Sequence, residues 1–346
     1  MTIDFQKITW QSPSNIALIK YWGKHGIQLP RNPSLSMTLK NAHTITTMFY
    51  HKTTDGLKIK YQFEGKRNET FELKVLKLLI NLQNEMPFLN HYEFRFESQN
   101  SFPHSTGIAS SASSMSALAL CLVSLEEEDR DEKYTPAEFL KRSSYIARLG
   151  SGSASRSVFG RYSLWGKEDQ VVNSSNEYAV PFNLPVHEKF LEMNDAVLLV
   201  SSLQKNVSST LGHHLMSVHP FADARYKQAE TNLQALIVSL QVGDFETFTC
   251  IVENEALTLH SLLMTSSDDG LLLQPNTLSI INEIRQFRAD SGLQICFTLD
   301  AGPNVHLLYP KSEREKVLDF ITFRLIRFCE NEKWIDDQMG EGPVRV

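Results

Sequence analysis

The chain contains no CxxC pair and no cysteine–histidine cluster. Cys121, Cys250, Cys296 and Cys329 stand far apart in 346 residues, so the spacing that structural zinc requires is missing and buried free thiols are expected instead. No stretch approaches about 18 consecutive apolar residues, so no membrane-spanning helix is predicted. The start, Met-Thr-Ile-Asp-Phe-Gln-Lys, lacks the apolar segment and small-residue cleavage site of a secretory leader, which predicts a cytoplasmic protein. Positive charge is also in short supply. A formal net charge of -6 and a pI near 6.0 supply no long-range attraction for nucleic acid or for an acidic membrane surface. No internal repeat is visible.

What is present is ordinary globular composition, 42% hydrophobic and 21% charged. At roughly 100–200 residues per domain this length predicts two domains. Ile16 to Tyr21 is apolar except for Lys20 and reads as a strand buried on both faces, bounded by Pro13 and Gly23. Thr44–Tyr50 and Leu57–Phe63 read as further strands around an Asp55-Gly56 turn, predicting an antiparallel sheet. Helical patterns cover about Phe71–Asn84, Pro136–Leu149, Asp223–Gln241, Phe245–Met264, Asn276–Ser291 and Glu313–Cys329. Strands are expected at Tyr92–Glu97, Ala196–Ser201, Leu293–Leu299 and Val305–Tyr309. The Asn, Ser and Pro content of Asn173–Pro185 places a domain boundary near residue 187, giving 1–187 and 188–346, and the element pattern is α+β.

Three small-residue clusters carry candidate chemistry. Pro103 to Ser111, including Gly107, Ile108, Ala109 and Ser110, runs directly into a helix. Its main-chain N–H groups and the positive helix end can cradle phosphates, although a plain loop has the same composition. In Gly150-Ser151-Gly152-Ser153-Ala154-Ser155-Arg156, Ser153 and Arg156 share a face if a helix has begun, and arginine offers a planar fork for phosphate or carboxylate. The competing reading is a helix cap with a surface arginine. Lys205, Ser208, Ser209 and Thr210 form the third cluster. Asp300 ends an apolar strand and is by composition a turn former, but a lysine in a buried segment requires a carboxylate. If Lys20 meets Asp300, that carboxylate stays ionised and can serve as a base. His213, His214, His260 and His306 lack ligand spacing and are read as structural or peripheral.

Four segments in order resemble the diphosphomevalonate decarboxylase family of the GHMP kinase superfamily. They are Ser14-Asn15-Ile16-Ala17-Leu18-Ile19-Lys20-Tyr21-Trp22-Gly23-Lys24, Pro103-x-x-x-Gly107-Ile108-Ala109-Ser110-Ser111-Ala112, Gly150 to Ser157, and Asp300-Ala301-Gly302-Pro303-Asn304. The resemblance spans roughly residues 10 to 310, and His104-Ser105-Thr106, Ser114, Ser155, Thr210 and His213 depart from the usual family pattern. It implies a GHMP kinase fold, with an N-terminal ribosomal-protein-S5-like domain and a C-terminal ferredoxin-like α/β domain. It also implies ATP and magnesium as cofactors and a homodimer. The implied reaction is ATP-dependent decarboxylation of mevalonate 5-diphosphate through 3-phosphorylation. In that reading Asp300 and Lys20 are catalytic, and Tyr21, Lys24, Ser151, Ser153 and Arg156 bind the substrate. Ser208 and Ser209 contact the transferred phosphate, and Pro103 to Ser111 hold the ATP phosphates with Ser111 near the metal. Alternatives on the same fold are a mevalonate monophosphate decarboxylase and a mevalonate 3-kinase; an alternative of another class is a silent nucleotide-binding or scaffold protein.

Overall fold

The computed structural model describes residues 4–102, 110–202, 209–266 and 270–346, with the main chain alone at 209–211. The first part of the chain forms β1 (Gln6–Ala17), a short ribbon of β2 (Lys24–His25) and β3 (Leu29–Pro30), then β4 (Ser34–Lys52), β5 (Lys58–Phe63), β6 (Lys66–Arg67) and α1 (Glu69–Leu82). It continues with β7 (Tyr92–Asn100), α2 (Ser110–Glu128), α3 (Pro136–Gly150), β8 (Tyr162–Trp165) and β9 (Ala179–Pro181). These strands build an eight-stranded sheet in the order β14-β1-β4-β7-β5-β6, with β8 on β4 and β9 on β8, where β14 (Val344–Arg345) returns from the far end of the chain.

Pro13 lies inside β1 and does not bound it. The β1–β4 register shifts between Pro13 and Asn15, the irregularity that admits a residue without an N–H. The strand then ends at Ala17, so Leu18 and Ile19 form a bend, and Lys20 and Tyr21 follow outside the expected strand. Both Leu18 and Ile19 nonetheless donate to the carbonyl of Leu35, at 2.8 and 3.2 Å. The sheet is antiparallel except at β5, which pairs parallel with β7. The two runs around Asp55-Gly56 are therefore not hairpin partners. Helix α2 is buried from Ala112 through Glu126 because it lies between this sheet and α3, which explains its apolar residues on every face. Helix α3 starts on a capping box, Thr135 and Glu138 bonding reciprocally, with Pro136 at its first position.

The remainder of the chain supplies β10 (Met193–Leu198), α4 (Ser209–Met216), α5 (Ala222–Val242), α6 (Phe245–Met264), α7 (Pro275–Ser291), β11 (Cys296–Thr298), β12 (Val305–Pro310), α8 (Arg314–Phe320) and β13 (Trp334–Gln338). Its sheet runs β11-β12-β10-β13, antiparallel throughout. The helix expected over Glu313–Cys329 is interrupted: after α8 the turns widen over Ile321–Leu325 and tighten over Ile326–Phe328. Among the cysteines Cys121, Cys296 and Cys329 are buried free thiols, but Cys250 is exposed on α6.

Candidate functional site

The chain brings Lys20 and Asp300 together across 280 residues, with Lys20 Nζ 3.1 Å from Asp300 Oδ1. The lysine side chain is 2% exposed and the aspartate 25%, so the ammonium sits beneath a carboxylate that still faces outward. Burial pulls the Lys20 ammonium below its ordinary pKa, and Asp300, with Glu255 behind it, pushes back.

Main-chain bonds fix both partners. Lys20 N–H donates to Glu255 Oε2 at 2.8 Å, while its carbonyl accepts from Asn32 Nδ2 at 3.1 Å. The Asp300-Ala-Gly-Pro-Asn turn between β11 and β12 is held at three points. His260 Nε2 lies 3.1 Å from the Asp300 carbonyl, and Thr277 Oγ1 donates to the Pro303 carbonyl at 2.7 Å. Asn304 Oδ1 accepts from the N–H groups of Val200 and Ser201 at 2.7 and 3.0 Å.

Arg156 is a buried cation, not a surface residue. The segment Gly152–Val158 winds as a 3-10 helix that carries the arginine inward. Its fork donates to Ser34 Oγ and Ser36 Oγ, each at 3.0 Å, and to Asn15 Oδ1 at 3.3 Å. No carboxylate among the described residues comes within ion-pair distance of it. Burial pushes its pKa down to about 10, with Asp300 and Tyr21 near enough to resist the shift. A buried guanidinium held by neutral oxygens is an incomplete electrostatic arrangement, and an anion completes it.

Tyr21 adds a second open valence, since its hydroxyl is buried with no hydrogen-bond partner among the described residues. Its ring packs edge-on to Trp165 at 4.7 Å and against His213 at 4.3 Å. The residue beside it must be glycine: a Cβ at Gly152 would lie 2.6 Å from the Trp165 ring and 2.9 Å from Tyr21 Oη. Ser151 and Ser153 flank that glycine, both half-buried. Lys24, on β2, bonds Gln28 Oε1 at 3.1 Å, and burial lowers its pKa. Arg148 of α3 ties down the ribbon that carries Lys24, donating to the Ile27 carbonyl while it pairs with Glu177.

His213 is a structural member of this wall. It accepts the Gly23 N–H at 3.0 Å, and burial pushes its pKa down to about 3, so it is neutral. Ser110 and Ser111 open α2, whose first turn contains no acidic residue, which suits an anion at that helix end. Pro103, Gly107, Ile108 and Ala109 lie outside the described residues, as do Lys205 and Ser208. Ser209 begins α4, but its side chain is not described. Among the described residues no group of three His, Cys, Asp or Glu forms a metal cage.

Sequence reasoning gave no site role to Asn15, Ser34, Ser36, Glu255 or Arg225, and read His260 as structural or peripheral. The available signal was polarity on a largely apolar face: Glu255 sits between Val252, Ala256 and Leu259 in a helix that also buries Thr249, Glu253 and His260.

Residues 12–178 match the family model described as the diphosphomevalonate decarboxylase-like N-terminal domain, and residues 196–342 match the mevalonate 5-diphosphate decarboxylase C-terminal domain. The chain is similar to the diphosphomevalonate decarboxylase of Schizosaccharomyces pombe, 29% identical over 356 residues that cover 98% of this chain and 86% of that protein. Among solved structures it is similar to the mevalonate diphosphate decarboxylase from Staphylococcus aureus, with a TM-score of 0.82 and 26% identity over 99% of this chain and 98% of that one. It is equally similar to a structure described as MDDEF in complex with MVAPP, AMPPCP and magnesium, with a TM-score of 0.82 and 28% identity over 99% of both chains.

Proposed function

The chain belongs to the diphosphomevalonate decarboxylase family, and we infer that it catalyses the ATP-dependent decarboxylation of mevalonate 5-diphosphate to isopentenyl diphosphate on a GHMP kinase fold. The observation that carries the assignment of roles is the Lys20–Asp300 pair, in which a buried ammonium meets a partly exposed carboxylate. The anion-seeking Arg156 cradle supports it.

In this reading Asp300 takes the proton of the substrate's 3-hydroxyl as that oxygen forms its bond to the γ-phosphorus of ATP and ADP leaves. The C3–O bond then breaks, phosphate departs with the bonding pair, and the electrons of the C1–C2 bond become the C2–C3 double bond as carbon dioxide is released. Lys20 keeps Asp300 ionised before the proton moves and balances charge afterwards. Arg156, Tyr21, Lys24, Ser151 and Ser153 hold the substrate's carboxylate and diphosphate, so that positioning and charge stabilisation carry most of the rate. The loop from Pro103 to Ser111 takes the ATP phosphates, with Ser111 at the magnesium, and Ser208 and Ser209 contact the transferred phosphate. Magnesium, when bound, neutralises the bridging phosphate oxygens.

Two domains, 1–187 and 188–346, a homodimer and a cytoplasmic location complete the proposal. They rest on the segment pattern and the family likeness; no helix among the described residues is long and apolar enough to cross a membrane.

The deciding experiment incubates purified protein with ATP, magnesium and either mevalonate 5-diphosphate or mevalonate 5-phosphate, following ADP and carbon dioxide separately. Equal release of both from the diphosphate is expected. ADP without carbon dioxide would make the protein a kinase, and equal release from the monophosphate alone would change the substrate.

A further inference from the structure

Glu255 is fully buried in α6, and both of its oxygens are engaged. Oε2 accepts the Lys20 N–H at 2.8 Å and Arg225 Nη2 at 2.5 Å; Oε1 accepts Arg225 Nη1 at 2.9 Å and Asn232 Nδ2 at 2.7 Å. A buried ion pair is seldom worth more to stability than well-packed apolar residues of the same volume. Fold stability is therefore a weak reason for this arrangement. Its geometry is specific, because Glu255 carries the Arg225–Glu255–Asn232 group onto the main chain of Lys20, while Arg225 makes a longer bond to Gln228 Oε1 at 3.4 Å on its own helix. Five residues further along α6, the buried His260 lies against the carbonyl of Asp300. One helix thus grips the main chain of both members of a pair drawn from opposite ends of the sequence.

We propose that Glu255, locked by Arg225, is a positioning residue for the decarboxylation, holding the Lys20 main chain so that its ammonium meets the Asp300 carboxylate. The inference rests on the roles assigned above to Lys20 and Asp300. The charge of Glu255 also favours the protonated form of Lys20, opposing the effect of burial. Removing that charge therefore lowers the pH at which Lys20 loses its proton.

In Glu255→Gln, kcat is expected to fall roughly 10- to 100-fold, the usual scale for a group that orients a site residue, with KM for mevalonate 5-diphosphate changed by less than about threefold. The alkaline limb of the pH–kcat profile moves to lower pH. An unchanged kcat and profile in the folded variant would overturn the proposal. Because breaking a buried pair threatens folding, the double variant Arg225→Met with Glu255→Leu provides a second test. It removes both charges while filling their volume. Expected are a Tm close to that of the unaltered protein and the same loss of kcat, whereas a folded double variant with full kcat would refute positioning.

A readout independent of turnover separates this idea from the substrate assignment. In protein carrying 15N-labelled lysine, the Lys20 signal, identified by its absence in Lys20→Arg, titrates at lower pH in Glu255→Gln than in the unaltered protein. An unmoved titration counts against the coupling whatever the substrate. A moved titration in a protein that turns over neither mevalonate ester supports the coupling and sinks the decarboxylase reading.

Discussion

An ammonium buried as deeply as that of Lys20 persists only where a carboxylate meets it, and the Asp300 carboxylate that does so remains partly exposed. Asp300→Asn preserves shape and removes the base. Turnover should drop by about three orders of magnitude while KM for mevalonate 5-diphosphate stays near its original value, as steady-state kinetics would report. Because burial lowers the Lys20 pKa below that of an exposed lysine, the alkaline loss of kcat should begin below the range of a free ammonium; activity needs the proton, so it declines as pH rises. A pH–rate profile that stays flat up to the ordinary lysine range would contradict this. Arg156→Lys keeps the charge but cannot donate to Ser34, Ser36 and Asn15 together with an anion. KM should rise about 10- to 100-fold, the cost of a hydrogen bond to a charged group. The need of Lys20 for a partner was legible in its apolar neighbours, and the family resemblance pointed to Asp300; spacing alone could not, since it carries no information about a contact spanning 280 residues. Glu255 went unread for a related reason: a lone carboxylate in a helical pattern does not reveal which face it occupies until the helix is packed.

Helices were read well because periodicity and end signals agree. Asp244 caps α6 through the N–H of Thr247, and Gln274 and Pro275 open α7. At the far end of α7, Gly292 adopts φ 71° in open space, so a side chain there meets backbone strain and nothing else. Gly292→Ala should lower stability by about 1 kcal/mol with turnover unchanged, measured by denaturant unfolding beside an activity assay. A larger loss, or a loss of kcat, would mean that this helix end is coupled to the Asp300 turn. Strands were read less well. Sequence Trp-Ile-Asp-Asp-Gln of β13 offers no apolar alternation, yet each acid has a partner: Asp336 pairs with Arg314, and Asp337 accepts main-chain N–H groups outside its own sheet. Proline usually bounds a strand, but at Pro13 a register shift absorbs it within β1.

Besides the bonds at the site itself, three structural joins among the described residues cross a division near residue 187. Strand β14, from the last residues of the chain, pairs with β1, Trp10 opposite Arg345. One hydrophobic cluster unites Ile16, Leu18, Leu35 and Phe102 with Phe190, Val197, Leu233, Leu236 and Phe248. The third join is Asp337, whose carboxylate accepts the N–H groups of Lys40, Asn41 and Ala42 at 2.9, 2.8 and 2.7 Å where β4 passes the second sheet. Lys20 hangs from the first sheet and Asp300 from the second, so these joins, together with the grip of α6 on both residues, define the distance between them. Asp337→Ala strips the acceptor from these three N–H groups and from that of Gln338, each costing about 1–3 kcal/mol where water cannot replace it. Expected are a clearly lower Tm and, below that Tm, a fall in kcat, because the two sheets lose part of their registry. Unfolding of the unaltered protein should be a single transition by both near-UV circular dichroism and intrinsic fluorescence. Two separated transitions, together with an Asp337→Ala protein of unaltered kcat, would mean that each half sets its own catalytic group without help from the other.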